Sequence, residues 1–143
     1  MSLCLSAGNT VLALALEAFT LSWTHSVERT EWREEWRLLE AGLVIESASV
    51  SGSGAGMEIP EGSVLRDGAW HYRPALPPQS QVAFADAGRG AGDWRLCSGD
   101  TCREIGELVP SRGSSFTLSV CDRSGRELSD LPRSSNQEHP LDR

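Results

Sequence analysis

The chain has 143 residues, with 20 Asp and Glu against 13 basic residues for a net charge of −7. A field of that sign repels phosphate backbones and anionic membrane surfaces, which argues against nucleic acid as a partner. All 13 basic residues are Arg and none is Lys, which removes Schiff-base chemistry and the lysine of phosphate-binding loops.

The length suits one core better than two, because each half would bury too little surface to stand alone. Apolar residues make up 39% and there are 14 glycines, an ordinary globular composition. No run approaches the roughly eighteen apolar residues of a membrane helix, and the N-terminus lacks the basic flank and apolar stretch of a secretory signal. Direct membrane insertion is therefore not expected. As written the chain implies a cytoplasmic protein; a leader ahead of it would instead place it in the periplasm or at the membrane.

Short apolar runs alternate with turn residues along the chain, and no long segment keeps a 3.6-residue period. The predicted strands are Leu3–Ala7, Val11–Leu16, Phe19–Val27, Trp32–Leu39, Leu43–Val50, Val64–Arg66, Ala69–Tyr72, Val82–Asp86, Trp94–Cys97, Thr101–Ile105 and Ser115–Cys121. That pattern predicts an all-β fold, a small antiparallel barrel or sandwich of about ten short strands. Gly8-Asn9, Asp67-Gly68 and Gly99-Asp100 mark tight turns. Beyond Cys121 apolar residues are sparse, too few to offset the cost of ordering. The expected organisation is a single β domain over residues 1–121 and a flexible polar tail over 122–143.

Phe19 to Leu38 is the most informative stretch. Phe19, Leu21, Trp23, His25 and Val27 share one face, opposite Thr20, Ser22, Thr24 and Ser26; in the next strand Trp32, Glu34, Trp36 and Leu38 face away from Arg33, Glu35 and Arg37. A loop of Glu28 to Glu31 would pair Val27 with Trp32, His25 with Glu34, Trp23 with Trp36 and Leu21 with Leu38. A slip of one residue would bury the charged face, so burial excludes it. The expectation is a His25–Glu34 pair between tryptophans on the apolar side of the sheet. The next hairpin, turning at Glu40-Ala41, would set Ser47 beside Glu34 and Ile45 beside Trp36.

His25-Ser26-Val27-Glu28-Arg29, Glu34 and Trp36, Gly54-Ala55-Gly56-Met57, Asp67-Gly68, Trp70-His71-Tyr72-Arg73-Pro74, and Cys97 with Cys102 follow one another along the chain. Over about residues 2 to 121 this order resembles the family called domain of unknown function 1850. The resemblance implies a small bacterial β domain without an established reaction. It also implies a neighbourhood beside tripartite ATP-independent periplasmic transporters of the TAXI class, which carry organic anions. A membrane transporter component is the partner so implied.

The candidate ligand-binding set is His25, Ser26, Glu28, Arg29, Glu34, Gly54, Ala55 and Gly56. Three readings of the His25–Glu34 pair stand side by side: a buried pair that fixes register, a polar pocket for a small molecule, and an acid/base site whose imidazole is tuned by the carboxylate. Alternation sends the Ser26 hydroxyl to the opposite face from His25, which disfavours a Ser–His nucleophilic pair. Ser51 to Met57 is glycine-rich, but it lacks the lysine and following helix of a phosphate loop. Its glycines serve close packing, or close over the His25 pocket.

Cys97 and Cys102 oppose each other across Gly99-Asp100, with Arg95 opposite Glu104, near enough to form a disulfide. Cys4 and Cys121, on the first and last strands, are candidates for a second. A thiol redox or zinc module is the remaining alternative. His71 reads as a half-exposed surface residue. No metalloprotease, nucleophile-elbow or dinucleotide motif occurs, and no cofactor is called for.

Overall fold

The computed structural model describes residues 1–24, 30–51, 61–87 and 93–131. Among the described residues eleven strands build two antiparallel sheets. In chain order they are β1 (Ser2–Ala7), β2 (Thr10–Leu14), β3 (Ala18–Thr24), β4 (Glu31–Leu39), β5 (Gly42–Ser51), β6 (Val64–Arg66), β7 (Ala69–Tyr72), β8 (Gln81–Asp86), β9 (Trp94–Ser98), β10 (Thr101–Glu104) and β11 (Ser114–Cys121). The smaller sheet runs β2-β1-β11-β8 and the larger β10-β9-β3-β4-β5-β7-β6. The fold is all-β, and the two separate sheets make it a sandwich rather than a closed barrel.

Alternation decides which faces meet. Leu3, Leu5, Leu14, Phe116 and Leu118 on the smaller sheet join Phe19, Leu21, Trp36, Leu38, Leu43, Ile45 and Leu96 on the larger in one buried cluster. Phe84 stacks on Phe116 at 5.1 Å, and Trp94 meets both rings, so aromatic contacts tie β8, β9 and β11 together across the two sheets. Buried Asp86 accepts a 2.7 Å bond from the Ser111 hydroxyl, which satisfies a carboxyl that would otherwise be costly inside.

The hairpin β4–β5 turns at Glu40-Ala41 with Leu39 opposite Gly42, and Ile45 stands opposite Trp36 as expected. Gly42 has φ +133°, and a Cβ there would sit 2.5 Å from the Gln79 carbonyl oxygen. Only glycine admits the backbone pair Leu43 N–H to Gln79 C=O (2.7 Å) and Gln79 N–H to Leu43 C=O (2.9 Å).

A β-bulge then follows. The register shifts by one residue between Glu35 and Trp36, leaving Glu46 as the extra residue, so Glu34 stands opposite Ala48 and not Ser47. The physical reason is burial. Leu43 and Ile45 point inward on odd positions, whereas Ala48 and Val50 need the even ones, and one inserted residue reconciles the two. It also sends Glu46 outward, where it receives a 2.7 Å bond from Arg37 Nε.

Two segments depart from the sequence expectation. After β10 the chain enters a single helical turn, α1 (Ile105–Leu108), in place of the last strand residue; Ile105 and Val109 are buried beneath it. Beyond Cys121 the described residues continue along the sandwich. The Arg126 backbone bonds both Ala13 C=O (3.1 Å) and Ala15 N–H (3.0 Å) beside β2, the Ser2 hydroxyl donates to the Arg123 carbonyl, and a 3-10 turn at Leu128–Asp130 delivers Leu128 and Leu131 to the core, 4% and 6% exposed. Two leucines and a backbone ladder along an otherwise open edge offset the ordering cost that the polar composition suggested. Residues 132–143 lie outside the described residues.

Candidate functional site

The expected site divides on inspection. Of its members Glu34 is placed, whereas His25, Ser26, Glu28, Arg29, Gly54, Ala55 and Gly56 lie outside the described residues. The pairing behind the His25–Glu34 proposal is corrected. In the β3–β4 ladder Phe19 faces Trp36, Leu21 faces Glu34 and Trp23 faces Trp32, and the last pair is Thr24 with Glu31. The expected register is displaced by four residues, two full pleats. A shift by an even number keeps every side chain on its assigned face, so alternation alone could not distinguish the two registers.

Glu34 therefore stays on the inner face between Trp32 and Trp36, but with a different partner. The Trp36 indole N–H donates to Glu34 Oε1 at 3.0 Å, and the Trp36 ring lies parallel to Phe19 at 6.4 Å. Burial holds the Glu34 carboxyl above its ordinary pKa of 4.5, against the opposing pull of the indole hydrogen bond. Among the described residues no other hydrogen bond or ion pair reaches this carboxyl.

Registers across the sheet place its surroundings. One inner-face rung runs Arg103, Leu96, Leu21, Glu34, Ala48, Tyr72, and the next runs Trp94, Trp23, Trp32, Val50, Trp70, Leu65; the β5 members Ala48 and Val50 are buried. Four of the protein's five tryptophans thus fall on a single rung. Trp94 is packed against the core by Phe84 and Phe116, and its indole N–H donates to the Ala85 carbonyl at 3.0 Å. Trp23, Trp32 and Trp70 remain half-exposed, and none belongs to the core cluster or packs on it. Trp23 lies 6.2 Å from Trp94 at a tilt. Tyr72 lies on the same rung as Glu34, across Ala48; its hydroxyl is pushed above its ordinary pKa first by burial and then by the Glu34 charge.

Trp23 and Trp32 lie on the central strands, at the end of β3 and the start of β4. At the β6 edge Leu65, the inner-face residue opposite Trp70, is 58% exposed. The tryptophan rung was legible in the sequence as odd or even positions on four strands, but only the registers align them.

The outer face of the same sheet carries the charges. Arg112 bridges Asp93 (3.5 Å) and Glu104 (2.8 Å) beside a cleft bordered by Ser22, Thr24, Glu31 and Arg95. A second cleft at the bulge is bordered by Glu35, Glu46, Ser47 and Arg73. In both, opposite charges already compensate one another. His71 lies on this face opposite Ser49.

The cysteines pair as expected. Cys97 and Cys102 are directly opposed, with Cα atoms 4.0 Å apart, and Cys4 and Cys121 bridge β1 and β11 with Cα atoms 5.9 Å apart, both pairs at disulfide distance. They stand on different sheets, so the four sulfurs do not converge on one metal. Among the described residues no group of three or more His, Cys, Asp or Glu side chains could hold a metal ion.

A two-sheet sandwich with an indole-lined, carboxyl-bearing open flank is the class of protein defined by these features. The model of the family Domain of unknown function (DUF1850) matches residues 19–105, and the chain belongs to that family. The matched stretch begins in β3 and ends just after β10, so it takes in every strand of the larger sheet; β1, β2 and β11 lie outside it. No curated protein and no solved structure matches the chain. Among the described residues no helix is long and apolar enough to cross a membrane.

Proposed function

We propose that this protein is a binding module without catalytic chemistry of its own. It takes a small molecule on the open inner rungs of β3, β4, β5 and β7 and works as an accessory to a membrane transporter of the TAXI-type tripartite class. The reading is carried by one observation: three half-exposed indoles aligned on one rung beside a partly buried carboxyl. Exposed aromatic surface with a few convergent polar groups is the usual make-up of a small-molecule site. Indole area left out of a core that has leucines to spare contributes little to folding.

The test has two arms. A library of small molecules screened against the full chain by tryptophan fluorescence yields ligands whose binding is lost in Trp32→Ala and Trp70→Ala; hits unaffected by both substitutions would remove the site. Co-purification with transporter components encoded beside the protein retains them, whereas absence of association together with unchanged uptake on deletion would remove the partner.

A second reading, acid/base chemistry, draws on the Glu34 carboxyl, which burial raises above its ordinary pKa and which shares its rung with the Tyr72 hydroxyl. It requires turnover that Glu34→Gln abolishes and Tyr72→Phe alters in pH profile. Binding without turnover of any hit from the screen would discard it.

A further inference from the structure

Resting on the reading of the open rungs as a binding site, we infer that the ligand is an organic cation, an ammonium or guanidinium group seated at Glu34 and Tyr72 with its apolar body on Trp23, Trp32 and Trp70.

Charge placement is the first ground. Across the inner face, the neighbours of Glu34 are Leu21 on β3, Trp32 and Trp36 on β4, Ala48 on β5, and Tyr72 on β7. The facing side chains of the smaller sheet, Leu3, Leu5, Phe116 and Leu118, are apolar. Tyr72 is the only other titratable group among them. The cations of these strands, Arg33 and Arg37 with Arg73 just beyond, alternate onto the outer face, where Arg33 and Arg37 meet Glu31 and Glu46 and Arg73 lies beside Glu35 and Glu46. Among the described residues of β3, β4, β5 and β7 no cation shares the inner face with Glu34, and Arg103, the inner-face cation of β10, stands three strands away on the same rung.

The second ground is what the walls reward. Adjacent same-face rungs lie about 7 Å apart along a strand. A charge beside Glu34 therefore falls close to the roughly 6 Å from an indole centroid within which ring faces attract cations. A neutral ligand would leave the carboxylate unpaired in an apolar site, and an anion would be repelled both by Glu34 and by the net charge of −7. A cation satisfies the carboxylate and the ring faces together, and the Tyr72 oxygen offers it a further acceptor.

Three probes of matched shape separate the possibilities: benzylamine, benzyl alcohol and benzoate, titrated into the full chain and followed by tryptophan fluorescence and calorimetry. Benzylamine is expected to bind about tenfold or more tighter than benzyl alcohol, with benzoate weakest. Glu34→Gln should erase that preference, bringing benzylamine to the affinity of benzyl alcohol in the same variant, and Trp70→Ala should weaken the amine and the alcohol alike. Benzylamine affinity should also fall as acid neutralises Glu34. Thermal melts of each variant verify the fold, and Tyr72→Phe provides a second, milder probe of the cation seat. Equal binding of amine and alcohol, or an amine preference that survives Glu34→Gln, overturns the cation inference but leaves the shelf as a site. Failure of all three probes to bind overturns the site along with it.

Discussion

The two halves of the larger sheet's inner face are built differently. Where the four-stranded sheet lies over it, Phe19, Leu21, Leu38, Leu43 and Leu96 are sealed against Leu3, Leu5, Phe116 and Leu118. Toward the end of β3 and the start of β4, and on β7, the same alternation delivers Trp23, Trp32, Glu34, Trp70 and Tyr72, and all of them remain partly exposed, with Val50 buried between Trp32 and Trp70. Stability is therefore carried by the covered rungs and the proposed recognition by their neighbours. The covered rungs hold residues that lose much when exposed, and the open ones hold residues with an apolar body and a polar tip.

This contrast can be broken most severely on the covered side. Cys4 and Cys121 close a separation of 117 residues, so the Cys4→Ser/Cys121→Ser pair should lower stability by about 5 kcal/mol from loop-closure entropy, read by urea unfolding under oxidising conditions. Little change would mean that the bridge does not form in solution. Leu128→Ala should cost about 3 kcal/mol as a buried large-to-small change, although the surrounding segment is polar. A loss within the error of the measurement would return residues beyond Cys121 to the status of a tail.

The exposed pair offers a sharper internal comparison. Cys97 and Cys102 are only five residues apart, and replacing both with Ser should cost about 2 kcal/mol by the same entropic argument. The ratio of the two disulfide effects, measured in one set of denaturation curves, tests whether loop length governs them.

On the open side the sign reverses. The raised Glu34 pKa means that the folded chain holds this proton more tightly than the unfolded one. The contribution therefore favours folding least once pH has risen from the ordinary value of 4.5 through the folded value. Glu34→Gln removes that slope. The variant should match the parent in melts at about pH 4 and equal or exceed it at about pH 8. A variant less stable only at the higher pH would show that the carboxylate is compensated in the folded chain and would weaken the cation argument.

The strands themselves were legible, because alternation and turn residues are local properties of a pleated chain. Even the bulge left a mark: the apolar positions change from Leu43 and Ile45 to Ala48 and Val50, a break in parity that announces one extra residue. α1 was missed because four residues are too short for a helical period, and Leu128 was missed because two leucines among polar neighbours do not reveal that an edge strand is waiting for them. The candidate site was legible in part. Glu34 stands between Trp32 and Trp36 on its strand, and the residue opposite it is Leu21 and not His25.

Sequence by itself determined which side of each strand faces inward, since that depends only on a two-residue period and the cost of burying charge. Only the tertiary structure decided which residues meet across strands. Registers that differ by whole pleats bury the same faces, so alternation leaves the choice between them open. The rung of indoles is likewise a product of assembly, because only the strand registers bring Trp94, Trp23, Trp32 and Trp70 into line.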